Sequence, residues 1–237
     1  MRSNRVQSLL IGGQACVLYG AAEFSRDTDL ALLASPANIE RLQSALDELK
    51  ARPIAVPPLS LDYLNRGHGV HFRCHSPEAD GMRIDVMAVM RGVAPFEELW
   101  ARRTTVEIPD GPGIEALSLP DLVQSKKTQR DKDWVMIKRL VEAHYARNGR
   151  TADSAHTAFW LKESRTPEIL LDVCREDPEL AATLAAHRPL LRSASAGDLS
   201  GLAAALAAEE QVEREADRAY WLPLRRELER LRHAPKG

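Results

Sequence analysis

LIGGQACVLYGAAEFSRDTDL, residues Leu10 to Leu30, sets two chemically distinct features at the ends of one short segment. The apolar run Val6 to Ile11 suits a strand, Gly12 and Gly13 permit an unusual backbone turn, and Gln14 to Glu23 is made of small, helix-compatible residues. A helix opening at the glycines has first-turn amides with no partners inside the helix, and these can face an anion such as phosphate. Asp27 and Asp29 then lead into the apolar run Leu30 to Leu33. Positions i and i+2 of a strand share a face, so the two carboxylates project together as a candidate metal clamp.

The 237 residues are enough for one large domain or two small ones, and a 44% hydrophobic content supplies a core. With 32 Lys plus Arg against 34 Asp plus Glu, the net charge of -2 gives no general field for holding nucleic acid, so any such contact needs a local basic patch. Cys16, Cys74 and Cys174 are few, scattered and odd in number, which argues against a disulfide framework and for a reducing compartment. Arg2 and Arg5 before an apolar stretch ending at Ala22 imitate a secretory signal. Gly12, Gly13 and Gln14 break that stretch, and cleavage there would discard the turn before the Asp pair. No run approaches the roughly 18 apolar residues of a membrane helix. A cytoplasmic protein is expected.

Further along, Ser35-Pro36 reads as an N-cap with a first-turn proline, followed by Ile39, Leu42, Leu46 and Leu49 at helical spacing up to Pro53. Pro53 to Pro58 is a connector, and Leu59 to Arg66 is a helical turn or a loop. Val70 to Cys74 and Met82 to Val89, separated by the polar turn Ser76 to Gly81, read as a β-hairpin. In its second run Ile84 and Val86 face one way and Arg83, Asp85 and Met87 the other. Asp85 is then either an edge-strand acid facing solvent or paired with Arg83 or Arg73, or the additional carboxylate that a two-metal site needs beside a D-x-D pair. His68, His71, His75 and Cys74 raise the possibility of zinc, but strand alternation separates Cys74 from the neighbouring histidines and no C-x-x-C is present.

Pro95 to Arg103 reads as helical, and Thr104 to Ile108 as a β-branched run stopped by Pro109 to Gly113. Ser118 and Asp121 fit a capping box opening a helix that runs into Lys126, Lys127 and Arg130. Charges at such a junction commonly form a solvated face. The next helix buries Trp134, Ile137, Leu140, Val141 and His144. Beyond Asn148-Gly149-Arg150 the composition becomes all-helical, with starts at Thr166-Pro167 and Asp177-Pro178, and Tyr220 to Leu224 interrupts the last helical stretch. Trp160 and Trp221 read as packing aromatics. The expected architecture is α+β, a small mixed or antiparallel sheet flanked by helices over residues 1–150, with a C-terminal helical subdomain over 151–237.

Ile11-Gly12-Gly13, then thirteen residues, then Asp27-Thr28-Asp29-Leu30, resembles the defining pattern of the nucleotidyltransferase superfamily, the fold of DNA polymerase β and of antibiotic nucleotidyltransferases. Gly12 to Ala15 with Arg26 to Leu30 is most similar to the branch containing AbiEii-type toxins. Asp85 matches the family's third carboxylate, and Lys126, Arg130 and Lys132-Asp133 match a later helix. The resemblance covers residues 6 to 145, departing from the pattern in the absence of a helix before the first strand and in Gly13, where relatives often carry a phosphate-holding Ser.

This resemblance implies that Asp27, Asp29 and Asp85 are catalytic and hold two Mg2+ ions about 3.5 to 4 Å apart. It implies that Gly12, Gly13, Arg26, Lys126 and Asp133 serve the NTP, Asp133 by orienting Lys126 or touching the nucleotide. The implied activity is transfer of a nucleoside monophosphate from an NTP to a hydroxyl of RNA, protein or a small molecule. A toxin acting on tRNA or protein and paired with an antitoxin is one form of it. Alternatives are a non-catalytic nucleotide-binding scaffold on the same fold and an antibiotic-modifying enzyme.

Overall fold

A computed structural model of the chain describes residues 1–108 and 111–234. It is α+β, as expected, with a seven-stranded mixed sheet among the described residues. The strands are β1 (Ser8–Ile11), β2 (Asp27–Leu32), β3 (Arg52–Pro53), β4 (Val70–Arg73), β5 (Arg83–Met87), β6 (Thr104–Ile108) and β7 (Gly111–Ala116), in the spatial order β3-β4-β5-β2-β1-β7-β6. The helices are α1 (Gly12–Leu18), α2 (Pro36–Glu48), α3 (Leu61–Asn65), α4 (Phe96–Ala101), α5 (Leu119–Ser125), α6 (Asp131–Asn148), α7 (Ser154–Glu163), α8 (Pro167–Glu176), α9 (Pro178–Leu184), α10 (Leu191–Ser195) and α11 (Leu199–His233).

The chain groups into two compact units whose limits differ from a single division at residue 150. The first holds Met1–Leu18, Ala22–Ser125 and Ala219–Gly237; the second holds Tyr19–Ala21 and Lys126–Arg218. Within the second unit α6 buries Trp134, Ile137, Leu140 and Val141.

In the first unit, β1 to β2 is antiparallel, with Leu10 opposite Leu30 and Ile11 opposite Asp29. The first half of β2 is partly open, while Leu30, Ala31 and Leu32 are buried, so the carboxylates sit where the strand leaves the core. The strand ends are tied by Asn38, which is buried. Its Oδ1 accepts from Gln7 N at 2.8 Å and its Nδ2 donates to the carbonyls of Gln7 at 3.0 Å and Leu33 at 2.9 Å. A buried amide is stable only with its bonds made. The helix bearing it begins as expected, with Ser35 Oγ accepting from Asn38 N at 3.3 Å. Leu42 and Leu46 on that helix are fully buried, each contributing about 1.5 to 3 kcal/mol of transfer free energy.

The expected hairpin is present, β4 antiparallel to β5 with His71 opposite Asp85, and Cys74 N donating to Met82 O at 2.8 Å. β5 lies inside the sheet, flanked by β4 and β2, so Asp85 is not an edge residue. The expected stop over Pro109 to Gly113 is in part a strand. Gly111 to Gly113 open β7, while Pro109 and Asp110 lie outside the described residues. Gly113 suits that place because a Cβ there would come within 3.0 Å of Thr105 Cγ2 and 3.1 Å of Val106 O on β6. At Ser118 the capping box is half made. Asp121 N donates to Ser118 Oγ at 3.4 Å, but the Asp121 carboxylate takes the Ser118 hydroxyl at 2.6 Å and two bonds from Arg102 at 2.8 Å.

α11 corrects another expectation, since it runs unbroken through Tyr220 to Leu224 with Pro223 inside it. An interior proline costs about 3 kcal/mol, and the helix is anchored on both sides of it. On the C-terminal side Leu224 is buried, and Glu227 accepts from His68 Nε2 at 2.8 Å and pairs with Arg66. On the N-terminal side Leu202 and Leu206 are buried and Asp217 Oδ2 accepts from Gln129 N at 2.9 Å. The hydrogen bond from His68 holds the Glu227 carboxyl below its usual range, with the Arg66 charge adding to it and burial opposing it. Glu227 therefore stabilises the fold fully above the unfolded-state value of about 4.3, and this contribution is lost as pH falls through the lower folded value. Urea midpoints should decline below about pH 4, less steeply in Glu227→Gln than in the parent. Equal slopes would refute the assignment.

The helical unit centres on Trp160, Leu161, Leu170, Val173 and Leu191, all fully buried or nearly so. Trp160 packs inside it, as its composition led us to expect, and its Nε1 donates to His144 Nδ1 at 2.9 Å. Two guanidinium groups, each 9% exposed, share Glu209: Arg165 Nη1 at 2.5 Å and Arg188 Nε at 3.1 Å. Arg188 also donates to the carbonyls of Leu161 and Ser164. Removing one partner of a buried pair strands the other charge, which costs about 3 to 5 kcal/mol. Because Glu209 is itself 31% exposed, Glu209→Ala should lose about 3 kcal/mol in urea unfolding. A loss under about 1 kcal/mol would mean that solvent already serves both guanidiniums.

Cys16, Cys74 and Cys174 form no disulfide. Among the described residues no helix is long and apolar enough to cross a membrane.

Candidate active site

The site lies where β2 and β5 run side by side in parallel, pairing Asp27 with Arg83 and Asp29 with Asp85. Asp27 and Asp29 share a face by strand alternation. Asp85 joins that face on the neighbouring strand, about 4.8 Å away in the pairing direction. One row across the sheet thus reads Ile11, Asp29, Asp85, His71. Thr28, between the two acids, points to the other face, where its Oγ1 accepts from Gln14 Nε2 at 3.0 Å. A cavity of about 490 Å³ lined by Leu10, Thr28, Leu30 and Trp100 opens on that opposite side.

Asp85 is paired rather than solvent-facing. Its Oδ1 accepts from Arg83 Nε at 2.8 Å and lies 2.8 Å from His71 Nδ1, and its side chain is only 13% exposed. Burial pushes the Asp85 carboxyl up, but hydrogen bonds from His71 and Arg83, with the charges of both, outweigh it and hold the group below its usual range. Arg83 is raised chiefly by its bond to Asp85; burial opposes this, and the charges of Asp85, Asp27 and Asp29 add to it. The guanidinium therefore sits in the field of all three carboxylates. Pairing with Arg83, one of the two readings open from sequence, is thus realised, but on an interior strand.

The turn at the glycines is explained by what crowds it. Gly12 has φ +68, and a Cβ built on it would lie 1.8 Å from Asp29 Oδ2. Gly13 faces Ser25, whose Oγ would be 2.4 Å from a Cβ at that position. A hydroxyl thus stands beside the turn even though residue 13 has no side chain. Sequence reasoning missed Ser25 and His71 as members of the site. Ser25 lies in a polar loop without periodicity, and His71 drew attention only as a metal ligand. Arg26 is exposed, directly before Asp27.

Lys126 and Asp133 belong to the helical unit. Asp133 is buried and accepts from Lys126 Nζ at 3.3 Å, Thr128 Oγ1 at 2.6 Å and Arg130 Nε at 2.6 Å, while Trp134 Nε1 ties the same turn through Thr128 O at 2.6 Å. Asp133 thus holds the Lys126 ammonium.

The histidines disperse: His68 bonds Glu227, His71 bonds Asp85 and His75 approaches Asp80 at 3.7 Å. Among the described residues no group of three or more His, Cys, Asp or Glu is arranged to hold a metal ion. The three carboxylates nevertheless offer an all-oxygen donor set on one sheet face, which suits Mg2+ by ligand type. Compared with known protein families and with curated proteins, the chain matches no family model and no curated sequence.

Proposed function

We propose that the protein is a Mg2+-dependent nucleotidyltransferase that moves a nucleoside monophosphate from an NTP to a hydroxyl acceptor. The observation that carries this reading is the placement of Asp27, Asp29 and Asp85 on one face of adjacent parallel strands, with Asp29 against Gly12. Asp27, Asp29 and Asp85 would hold Mg2+, which when bound neutralises phosphoryl oxygens and lowers the pKa of a bound hydroxyl. Gly12 keeps a side chain away from Asp29 and Gly13 keeps one away from Ser25, whose hydroxyl, donating to Asp27 O at 3.3 Å, stands beside the turn where a phosphate oxygen would compete for it. Asp85 is kept ionised by His71 and Arg83, and so stays in the carboxylate form that would hold a cation. The acceptor class we favour is tRNA or protein, with the protein acting in the cytoplasm as the toxin of a toxin–antitoxin pair.

Incubation with each α-labelled NTP, total RNA and lysate protein, with Mg2+ or with EDTA, tests the reading. Label transferred only with Mg2+ is the expected result, and growth arrest on expression would accompany it. A second reading, nucleotide binding without chemistry, is favoured by the engagement of Asp85 with Arg83 and His71. Calorimetry showing NTP binding by a folded protein that transfers no label would establish that reading instead.

A further inference from the structure

Arg83 lies on the carboxylate face without being required by transfer chemistry. It stands on β5 opposite Asp27, two residues before Asp85 on the same face of the strand. Its Nε is 2.8 Å from Asp85 Oδ1, the oxygen that His71 Nδ1 also approaches at 2.8 Å, and its Nη2 lies 3.3 Å from that Nδ1. An Nδ1 facing a carboxylate at that distance carries the proton. The imidazole and the guanidinium are then both donors, held together by one shared acceptor. Around them are Asp27 and Asp29, whose charges act on Arg83. Three carboxylates on adjacent strand positions repel one another unless a cation is among them. Arg83 supplies that cation from within the chain.

We propose that Arg83 is the built-in counter-cation of the Asp27, Asp29 and Asp85 cluster, and that a divalent ion binds only by displacing the guanidinium from Asp85. This rests on the nucleotidyltransferase reading of the three acids. A monocation and a divalent cation a few ångströms apart repel strongly in a partly buried site, so both do not share the cluster at low cost. The exchange is physically open because the Arg83 side chain is 37% exposed and its long stem can swing to water, while Asp85, at 13%, stays in place. The absence of a three-ligand cluster among the described residues fits the same arrangement: Asp85 is turned to Arg83 and His71. The device offsets part of the negative charge of the apo site and ties metal occupancy, and with it activity, to release of Arg83.

Calorimetric titration of Mn2+ and Mg2+ into metal-free protein tests this without any measurement of activity. Arg83→Met should bind either ion about tenfold more tightly than the parent, one unit of pK being the scale of a lost neighbouring charge. Arg83→Lys should stay near the parent. In EDTA, Arg83→Met should melt below the parent, and saturating Mg2+ should narrow the gap. Should Arg83→Met fail to fold, Arg83→Gln under the same titration takes its place. Equal or weaker metal binding by a folded Arg83→Met or Arg83→Gln overturns the proposal. Asp29→Asn separates the two levels of inference. Metal binding that depends on Asp29 but is not tightened by loss of Arg83 refutes the counter-cation alone. No binding by the parent or by the Arg83 variants refutes the metal site as well.

Discussion

Asp29→Asn and Asp27→Asn should each lower Mg2+-dependent label transfer by about a hundredfold to a thousandfold or more, the scale of removing one electrostatic group from a transition state that carries phosphoryl charge. The amide keeps the shape of the carboxylate but not its charge, and it is a poor ligand for a hard dication. Asp29 is the more telling of the two. It stands between Ile11 and Asp85 in the row across the sheet and lies over Gly12, so its carboxylate position is set on several sides. Circular dichroism and a melting midpoint near the parent's establish that the variants are folded. The measurement is initial transfer rate at saturating Mg2+. If both variants work as fast as the parent, these acids are not the catalytic centre.

Gly12→Ala is expected to destabilise the first unit by about 2 to 5 kcal/mol, the sum of a left-handed backbone penalty and overpacking. Two independent terms enter. The φ of +68 disfavours any side chain, and the new Cβ would meet Asp29 Oδ2 at 1.8 Å, Cγ at 2.5 Å and Cβ at 2.7 Å. The last of these atoms is fixed to the β2 backbone, so a rotamer change alone does not relieve the clash. Gly81 provides the control, with φ +76 and nothing within 4 Å of an added Cβ. Gly81→Ala carries only the backbone term, about 1 to 2 kcal/mol. Urea unfolding of the two variants isolates the close approach of Asp29. A Gly12→Ala cost no larger than that of Gly81→Ala would show that the turn has room the structure does not display.

Much of the site was legible because it is local. Glycines before a short helix, acids two apart at the start of a strand and a third acid mid-strand in Arg83 to Met87 are all read from periodicity and turn chemistry, and the faces of Ile84, Asp85 and Val86 follow from alternation. The role of Arg83 was half legible. Its neighbourhood to Asp85 is visible along β5, but its exposure to Asp27 and Asp29 depends on β5 lying beside β2. Periodicity and turn chemistry do not announce that pairing, because the two strands are separated by α2, β3, α3 and β4. The misreading of Pro223 has a similar origin. Intrinsic propensity disfavours a helix there, and the anchors that override it, Asp217 with Gln129 and Glu227 with His68, are remote in sequence.

By itself the sequence determined the α+β class, the strand, turn and helix around Gly12, the common face of Asp27 and Asp29 and the helical character beyond residue 150. These depend on neighbours a few residues apart, where backbone geometry sets direction. Only the tertiary structure decided that Asp29 lies beside Asp85 and over Gly12, that Ser25 faces Gly13, that His71 and Arg83 share one carboxylate oxygen, and that Asp133 holds Lys126. The reason is that strand order and register are chosen by burial of the whole apolar set. The polar residues take the partners which that choice brings to them.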